Sequence, residues 1–176
     1  KGSLDGAWNG GLKQGTSIHP DYDTALLRPA AQSHYFGLGT PDQIDGVRDA
    51  VYDSAEKLAI NLDENGTNVA AASAVGVAYT LHDDEFLYSL IEVTDTTKSL
   101  TNGDGVYQTD GIQMYLDQIS ECSYLNLCRN GSSNLSNYAY KTGLEYKILE
   151  TDVGYTVEIK TPLSESGKQQ LQQGTA

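Results

Sequence analysis

Short stretches in which apolar and polar residues alternate, separated by turns, dominate this 176-residue chain from about residue 35 onward. The strictest alternation falls in residues 111–117. Its apolar set is Ile112, Met114 and Leu116, and its polar set is Gln113, Tyr115 and Asp117. Because successive side chains of a strand point to opposite faces, a period of two separates these sets. We therefore predict a strand whose apolar set faces a core while Gln113 and Tyr115 face outward.

The other elements are predicted from the same kind of pattern. Residues 70–81 and 86–93 form a hairpin around a polar turn, 51–62 a helical turn followed by a strand, 138–149 and 154–161 two more strands, and 165–173 a short helix. Residues 121–137 are predicted to be a long polar loop. Short strands between turn signals, with almost no helical periodicity, predict an all-β antiparallel β-sandwich.

The first 34 residues differ from the rest of the chain. Residues 1–15 are rich in glycine, have no sustained period and contain Trp8, the single tryptophan, and Pro20 and Pro29 interrupt residues 16–34. Such composition is typical of connecting segments. We predict that residues 1–34 are a non-regular N-terminal extension or linker, anchored by Trp8, and that residues 35–176 are the β-sandwich domain.

The charge balance limits the classes of partner. Eleven Lys and Arg residues against 24 Asp and Glu residues give a net charge of −13. Phosphate backbones and anionic membrane surfaces both require basic side chains, so neither is an expected partner. No apolar run approaches the roughly 20 residues that a membrane-spanning helix needs. Twelve tyrosines suit strands and wet contact surfaces instead, because the ring packs while the hydroxyl stays hydrated.

Two cysteines and three glycosylation motifs point to an extracellular location. Cys122 and Cys128 lie six positions apart, so they either close a small loop as a disulfide, which requires an oxidising compartment, or are two unrelated reduced thiols. A structural zinc is not expected, because no histidine lies nearby. Asn65, Asn130 and Asn134 each begin an Asn-x-Ser/Thr acceptor motif for N-glycosylation.

Four segments in the same order resemble family 9 carbohydrate-binding modules. They are Gly39-Thr40-Pro41 with Ile44-Asp45-Gly46 and Asp49; His82-Asp83-Asp84-Glu85-Phe86-Leu87-Tyr88 with Val93-Thr94-Asp95; Thr109-Asp110-Gly111-Ile112-Gln113-Met114-Tyr115-Leu116-Asp117; and Gly154-Tyr155-Thr156-Val157-Glu158-Ile159 with Pro162-Leu163. The resemblance spans roughly residues 38–163. It implies a secreted, non-catalytic β-sandwich that binds a polysaccharide or oligosaccharide.

The resemblance also implies a binding site built from two aromatic residues that sandwich a sugar. Tyr107 falls where the family has its first aromatic residue, and Gln113 matches a family glutamate. The second aromatic residue comes after the last matched strand, in a segment that this sequence does not reach, so we expect half a cleft and an open sheet edge. From their positions on strand faces, Tyr115 and Tyr140 join Tyr107 and Gln113 as candidate carbohydrate contacts.

Calcium is the one cofactor that the resemblance implies. Asp83 and Asp84 lie in the hairpin turn, Asp95 comes after the paired strand and Asp104 lies in the next loop. Calcium takes six to eight oxygen ligands from such loops, although acids in turns are also often simply solvated. Haem, which related sandwiches hold through methionine, is not expected, because Met114 belongs to the apolar set of its strand.

A catalytic role is not expected. No two carboxylates are paired by the sequence as a glycosidase requires, and nucleophile-elbow, zinc-protease and P-loop motifs are absent. The alternative function is a structural one, in which the sandwich is a subunit of an extracellular surface layer or filament. Copies of the chain would then assemble by strand exchange or by docking of the N-terminal extension. Tyr and Gln in place of the family's Trp and Glu favour this alternative.

Overall fold

The computed structural model describes residues 35–62, 74–100, 109–117 and 122–174, which form two β-sheets. The strands are β1 (Gly37–Leu38), β2 (Leu58–Ile60), β3 (Ala74–His82), β4 (Phe86–Asp95), β5 (Gly111–Asp117), β6 (Cys122–Cys128), β7 (Ser133–Asn134), β8 (Glu145–Thr151) and β9 (Gly154–Pro162). A 3-10 helix covers Ala50–Ser54, and helix α1 covers Glu165–Gly174. Within these ranges no helix is long and apolar enough to cross a membrane.

The strands pair almost entirely in the antiparallel sense. The larger sheet has the order β1-β3-β4-β9-β8, with β2 also paired to β3, and the smaller sheet has the order β5-β6-β7. Only the two-residue strand β1 runs parallel to its neighbour among the pairings described. The predicted all-β sandwich is therefore confirmed, as are the hairpin of β3 and β4 and the change from a helical turn to a strand in residues 50–60.

An inner core lies between the two sheets. Its buried members are Ala78, Ile91, Tyr155, Val157 and Ile159 from the larger sheet, Leu125 and Leu127 from the smaller sheet, and Tyr138. Ile112, Met114 and Leu116 pack against this core, whereas Tyr115 is 62% exposed. The prediction of which β5 residues face inward and which face outward is confirmed.

The larger sheet is buried on both of its faces. Tyr79 and Leu81 of β3 and Tyr88 and Leu90 of β4 point away from the smaller sheet and pack around Tyr52 of the 3-10 helix. Burial of both faces explains why β4 has apolar residues at successive positions, as in Leu87-Tyr88 and Leu90-Ile91, rather than a strict alternation. The segment that precedes β2 thus forms a third layer, and it protects one face of the larger sheet from water.

A buried carboxylate fastens this third layer to the larger sheet. Glu158 of β9 is fully buried. One of its oxygens accepts the backbone N–H groups of Asp45 and Gly46 at 2.9 and 2.8 Å, and the other accepts the Tyr52 hydroxyl at 3.0 Å. Burial raises the pKa of Glu158, and these hydrogen bonds oppose the rise only in part. Gly46 has a φ of 84°, a conformation in which glycine avoids the strain of a side chain.

The prediction of a loop over residues 121–137 was wrong, because this segment contains β6 and β7. In β6, Leu125 and Leu127 face the inner core while Tyr124 and Asn126 face the other way. Half of the strand is therefore polar, and its composition resembles that of a loop. The predicted strand over 138–149 begins only at Glu145, so Tyr138 and Tyr140 lie in the turns that precede it.

The sequence left open whether Cys122 and Cys128 form a disulfide or are two unrelated thiols, and the geometry of β6 bears on that choice. The two cysteines are the first and last residues of β6. Six steps along an extended strand separate their Cα atoms by about 20 Å, whereas a disulfide needs roughly 4.4–6.8 Å. A small disulfide-closed loop would require this strand to be broken.

Gly154, the first residue of β9, provides a test of the sheet packing. A Cβ atom at Gly154 would lie 2.0 Å from the backbone oxygen of Val93. We expect Gly154→Ala to lower the free energy of unfolding by about 2–3 kcal/mol, because backbone on both strands must shift. Gly76→Ala is the control, since its Cβ would meet nothing closer than 3.5 Å. Equal urea-denaturation midpoints for the two variants would contradict this packing.

Candidate functional site

The smaller sheet presents a polar and aromatic surface on the side away from the core. This outer face consists of Gln113 and Tyr115 on β5, Tyr124 and Asn126 on β6, and Asn137 in the turn after β7. Gln113 lies directly opposite Asn126, and Tyr115 lies opposite Tyr124. Side chains that oppose each other on neighbouring strands share one face of a sheet and interact.

The Gln113 side chain is held from both ends of its amide. Its Nε2 donates a hydrogen bond to Asn126 Oδ1 at 2.7 Å, and its Oε1 accepts one from the Tyr115 hydroxyl at 3.0 Å. A primary amide has two N–H groups and two oxygen lone pairs. After these two bonds, Gln113 keeps one donor and one acceptor for a ligand.

The Tyr115 ring rests on a second aromatic ring. The centroids of Tyr115 and Tyr124 are 5.4 Å apart, with a tilt of 38°. Pairs at this separation are favourable beyond the area that they bury. Asn137 Nδ2 donates a hydrogen bond to the Tyr124 hydroxyl and so fixes the Tyr124 ring, which supports Tyr115. The outer face therefore combines an exposed, supported aromatic ring with an oriented amide.

Several clefts are lined by described residues of the sandwich. A cleft of about 300 Å³ opens between the edge of β5 and strands β2 to β4, and Gln113 borders it. Its apolar lining consists of Ile60, Leu62, Ala74, Val75, Ile91, Val93, Ile112 and Tyr155. A larger groove of about 700 Å³ lies on the opposite face of the larger sheet, where Lys160 and Glu145 form an ion pair at 2.6 Å. The 300 Å³ cleft adjoins the outer face at Gln113, and a further cleft of about 670 Å³, lined by Ser123, Ser136 and Tyr138, adjoins it at Asn137. We place the candidate site at Gln113, where the oriented amide and the exposed Tyr115 ring lie together.

The structure brings together two of the predicted carbohydrate contacts. Gln113 and Tyr115 share the outer face and are hydrogen-bonded. Tyr140 packs on the inner core with its ring 5.7 Å from that of Tyr138, so the structure does not bring it to the outer face beside Gln113 and Tyr115. Tyr107 lies outside the described residues.

Tyr124, Asn126 and Asn137 were missed by sequence reasoning. All three lie in the segment that was interpreted as a loop. The signal that would have revealed them is the alternation of Leu125 and Leu127 with polar neighbours, which is a period of two inside a Ser/Asn-rich stretch. Their side-chain partners depend on strand register, which that signal does not give.

The described residues among the predicted calcium ligands do not come together at one point. Asp83 lies in the turn before the ten-residue strand β4, and Asp95 is the last residue of that strand. The length of the strand separates them by about 30 Å, and Asp104 lies outside the described residues. The Asp83 carboxylate instead closes the hairpin turn by accepting bonds from the N–H groups of Glu85 and Phe86 and from two hydroxyls. Asp84 is exposed beside it. In the described part of the chain, no three His, Cys, Asp or Glu residues are placed to hold an ion.

Asp95 belongs to a buried ionic cluster centred on Arg129. The Arg129 side chain is 4% exposed, and its guanidinium lies 3.6 Å from Asp95, 3.3 Å from Asp110 and 2.8 Å from Glu150. It also donates to the backbone oxygens of Thr97 and Gly154. The Glu150 hydrogen bond contributes most to raising the pKa of Arg129. This Arg129 cluster joins the ends of both sheets.

Two of the predicted glycosylation sites are described: Asn130 lies in the turn after β6, and Asn134, the last residue of β7, begins the turn that follows that strand. The Asn130 side-chain oxygen accepts the Ser132 N–H at 2.9 Å, and the Asn134 oxygen accepts the Ser136 N–H at 3.0 Å. Surface turns of this kind are accessible to modification, so both sites stay predictions. Asn65 lies outside the described ranges.

Comparison with known proteins identifies the family of this sandwich. Residues 44–176 match the family described as "Carbohydrate family 9 binding domain-like". A family 9 carbohydrate-binding module from Caldicellulosiruptor kristjanssonii, solved in complex with glucose, superposes with a TM-score of 0.64 at 23% identity, over 74% of this chain and 69% of that chain. A structure of a family 9 module from the same organism in complex with cellotriose gives 0.63 at 20% identity, over 74% and 67%. No curated protein matches the chain. The chain therefore belongs to the carbohydrate family 9 binding domain-like family, which consists of non-catalytic carbohydrate-binding modules.

Proposed function

We propose that this domain is an extracellular module that binds a saccharide on its outer face. The observation that carries the proposal is the exposed Tyr115 ring, supported by Tyr124 and hydrogen-bonded to Gln113. Family membership supports a saccharide as the ligand. Family membership also supports an extracellular setting, because carbohydrate-binding modules are typically extracellular.

The chemistry of the outer face suits a sugar ring. A pyranose in the chair form presents C–H groups on its flat sides and hydroxyls around its rim. Tyr115 offers a flat apolar surface to the C–H groups, and the amide of Gln113 offers one donor and one acceptor to the hydroxyls. Because the two solved relatives are complexes with glucose and cellotriose, we propose a glucose-containing saccharide as the first ligand to test.

Loss of the Tyr115 ring tests the proposed function. We expect Tyr115→Ala to weaken binding of cellotriose by about tenfold or more, because the stacking surface disappears while the fold stays intact. Isothermal titration calorimetry of the purified protein measures the change. Tyr35→Ala is the matched control, since Tyr35 is 78% exposed and lies outside the outer face. A wild-type protein that binds neither glucose nor cellotriose, or a variant that binds as well as wild type, would contradict the proposal.

The structural alternative depends on an open sheet edge. In the described ranges β8 pairs only with β9, so its outer edge is a site where a strand from a second copy would add. Light scattering of the purified chain tests this second candidate. A concentration-independent monomer would eliminate it without affecting the proposal of saccharide binding.

A further inference from the structure

Asn126 is a polar side chain that lies almost entirely out of solvent although it belongs to the outer face. It is 6% exposed and is paired in register with Gln113 on one side and Asn134 on the other. Its Oδ1 accepts the 2.7 Å hydrogen bond from Gln113 Nε2. Buried polar groups are retained where their partners are fixed, so this bond constrains Gln113 more than a solvated contact would.

The consequence is a fixed direction for the Gln113 amide. If the Gln113 amide alone turned over, its oxygen would face the Asn126 oxygen, and two acceptors would be placed together without a proton between them. The Tyr115 hydroxyl, which donates to Gln113 Oε1, would have to turn and accept an N–H instead, so the clash with the Asn126 oxygen is the main cost. The positions of the remaining Gln113 N–H and of the remaining Oε1 lone pair beside the Tyr115 ring are therefore fixed relative to each other.

We infer that Asn126 is a positioning residue for saccharide recognition, because it orients Gln113 to read two adjacent hydroxyls of a sugar stacked on Tyr115. One hydroxyl accepts the free Nε2–H and its neighbour donates to Oε1. The ligand class is a pyranose with a pair of vicinal hydroxyls on one edge. This inference rests on the proposed function, and it goes further by naming the group that confers selectivity.

The test compares Asn126→Ala with Asn126→Asp by calorimetry. Alanine removes the acceptor, whereas aspartate keeps an oxygen at the same distance from Gln113. The probes are methyl β-glucoside and its 2-, 3- and 4-deoxy derivatives. We expect the wild type to bind the parent glycoside and to lose about tenfold or more for at least one deoxy derivative, because the exposed Gln113 amide would be covered by the ligand without gaining a partner. Asn126→Ala should bind the parent about tenfold more weakly and lose most of this deoxy penalty. Asn126→Asp should restore both.

The possible results separate failure of the proposed function from failure of the role of Asn126. A wild type that binds no glycoside overturns the proposed function and this inference together. A wild type that binds, with an Asn126→Ala variant that keeps both its affinity and its deoxy penalty, overturns the inference alone. Loss of binding that Asn126→Asp does not restore also overturns it, since Asn126 would then be needed only for packing. If Asn126→Ala does not fold, Asn126→Ser replaces it, because the shorter hydroxyl side chain does not reach Gln113.

Discussion

Replacing Arg129 with methionine is expected to lower the free energy of unfolding by about 3–5 kcal/mol, a large share of the stability of a domain of this size. Methionine fills a similar volume but carries no charge. Asp95 and Asp110, which are largely buried, would then lose the cation that compensates them. The backbone oxygens of Thr97 and Gly154 would lose their donor at the same time.

Urea denaturation followed by tyrosine fluorescence measures the effect. Arg48→Met is the matched control, because the Arg48 side chain is 30% exposed and its ion pairs with Asp53 and Glu92 lie near the surface. Such pairs contribute about 1 kcal/mol or less. An Arg129→Met variant no less stable than Arg48→Met would contradict a structural role for the Arg129 cluster.

The Arg129 cluster also illustrates what the sequence alone does not reveal. Arg129 bonds to partners 32, 19, 21 and 25 positions away, and no local pattern predicts such contacts. Sequence reasoning found Asp95 but assigned it to a metal site. The structure places a guanidinium beside its carboxylate, because three strand ends converge on one arginine only after both sheets have formed.

The sequence predicted those strands that bury either one face or both faces in apolar surroundings. The alternation of β5 identified its inner and outer faces, and the apolar runs of β3, β4 and β9 identified the centre of the larger sheet. Strand β6 was missed because its outer face is polar and only Leu125 and Leu127 mark its inner face. Gln113 and Tyr115 were found by alternation and by resemblance. Their partners were not, because register between strands is a tertiary property.

Glu158 is a second residue whose surroundings the sequence pattern does not reveal. Its position between Val157 and Ile159 predicts an outward, solvated acid. It is buried because residues 44–54 cover that face, and a strand pattern carries no information about a covering layer. Because the buried Glu158 carboxylate accepts hydrogen bonds from three donors, its removal should strongly lower the free energy of unfolding.

We expect Glu158→Ala to lower the free energy of unfolding by about 3–5 kcal/mol, because the N–H groups of Asp45 and Gly46 and the Tyr52 hydroxyl all lose their acceptor. Glu158→Gln should cost far less. Its amide oxygen still accepts the two backbone N–H groups, and its NH₂ group faces a hydroxyl that can accept a hydrogen bond. Equal losses for the two variants in urea denaturation would show that side-chain volume, not hydrogen bonding, holds the third layer.

The same pair of proteins gives a pH signature with a defined sign. Burial raises the pKa of Glu158 in the folded state above its ordinary value of 4.5, so the folded state binds this proton more tightly than the unfolded state does. The associated stability is fully present below the unfolded pKa and is lost as the pH rises through the folded pKa. Glu158→Gln has no such proton, so its stability relative to wild type should improve as the pH rises from 4.5 and then level off. Urea titrations of both proteins across this range isolate Glu158, because every other carboxylate is common to the two. Parallel stability curves would mean that Glu158 ionises in the folded protein as it does in water.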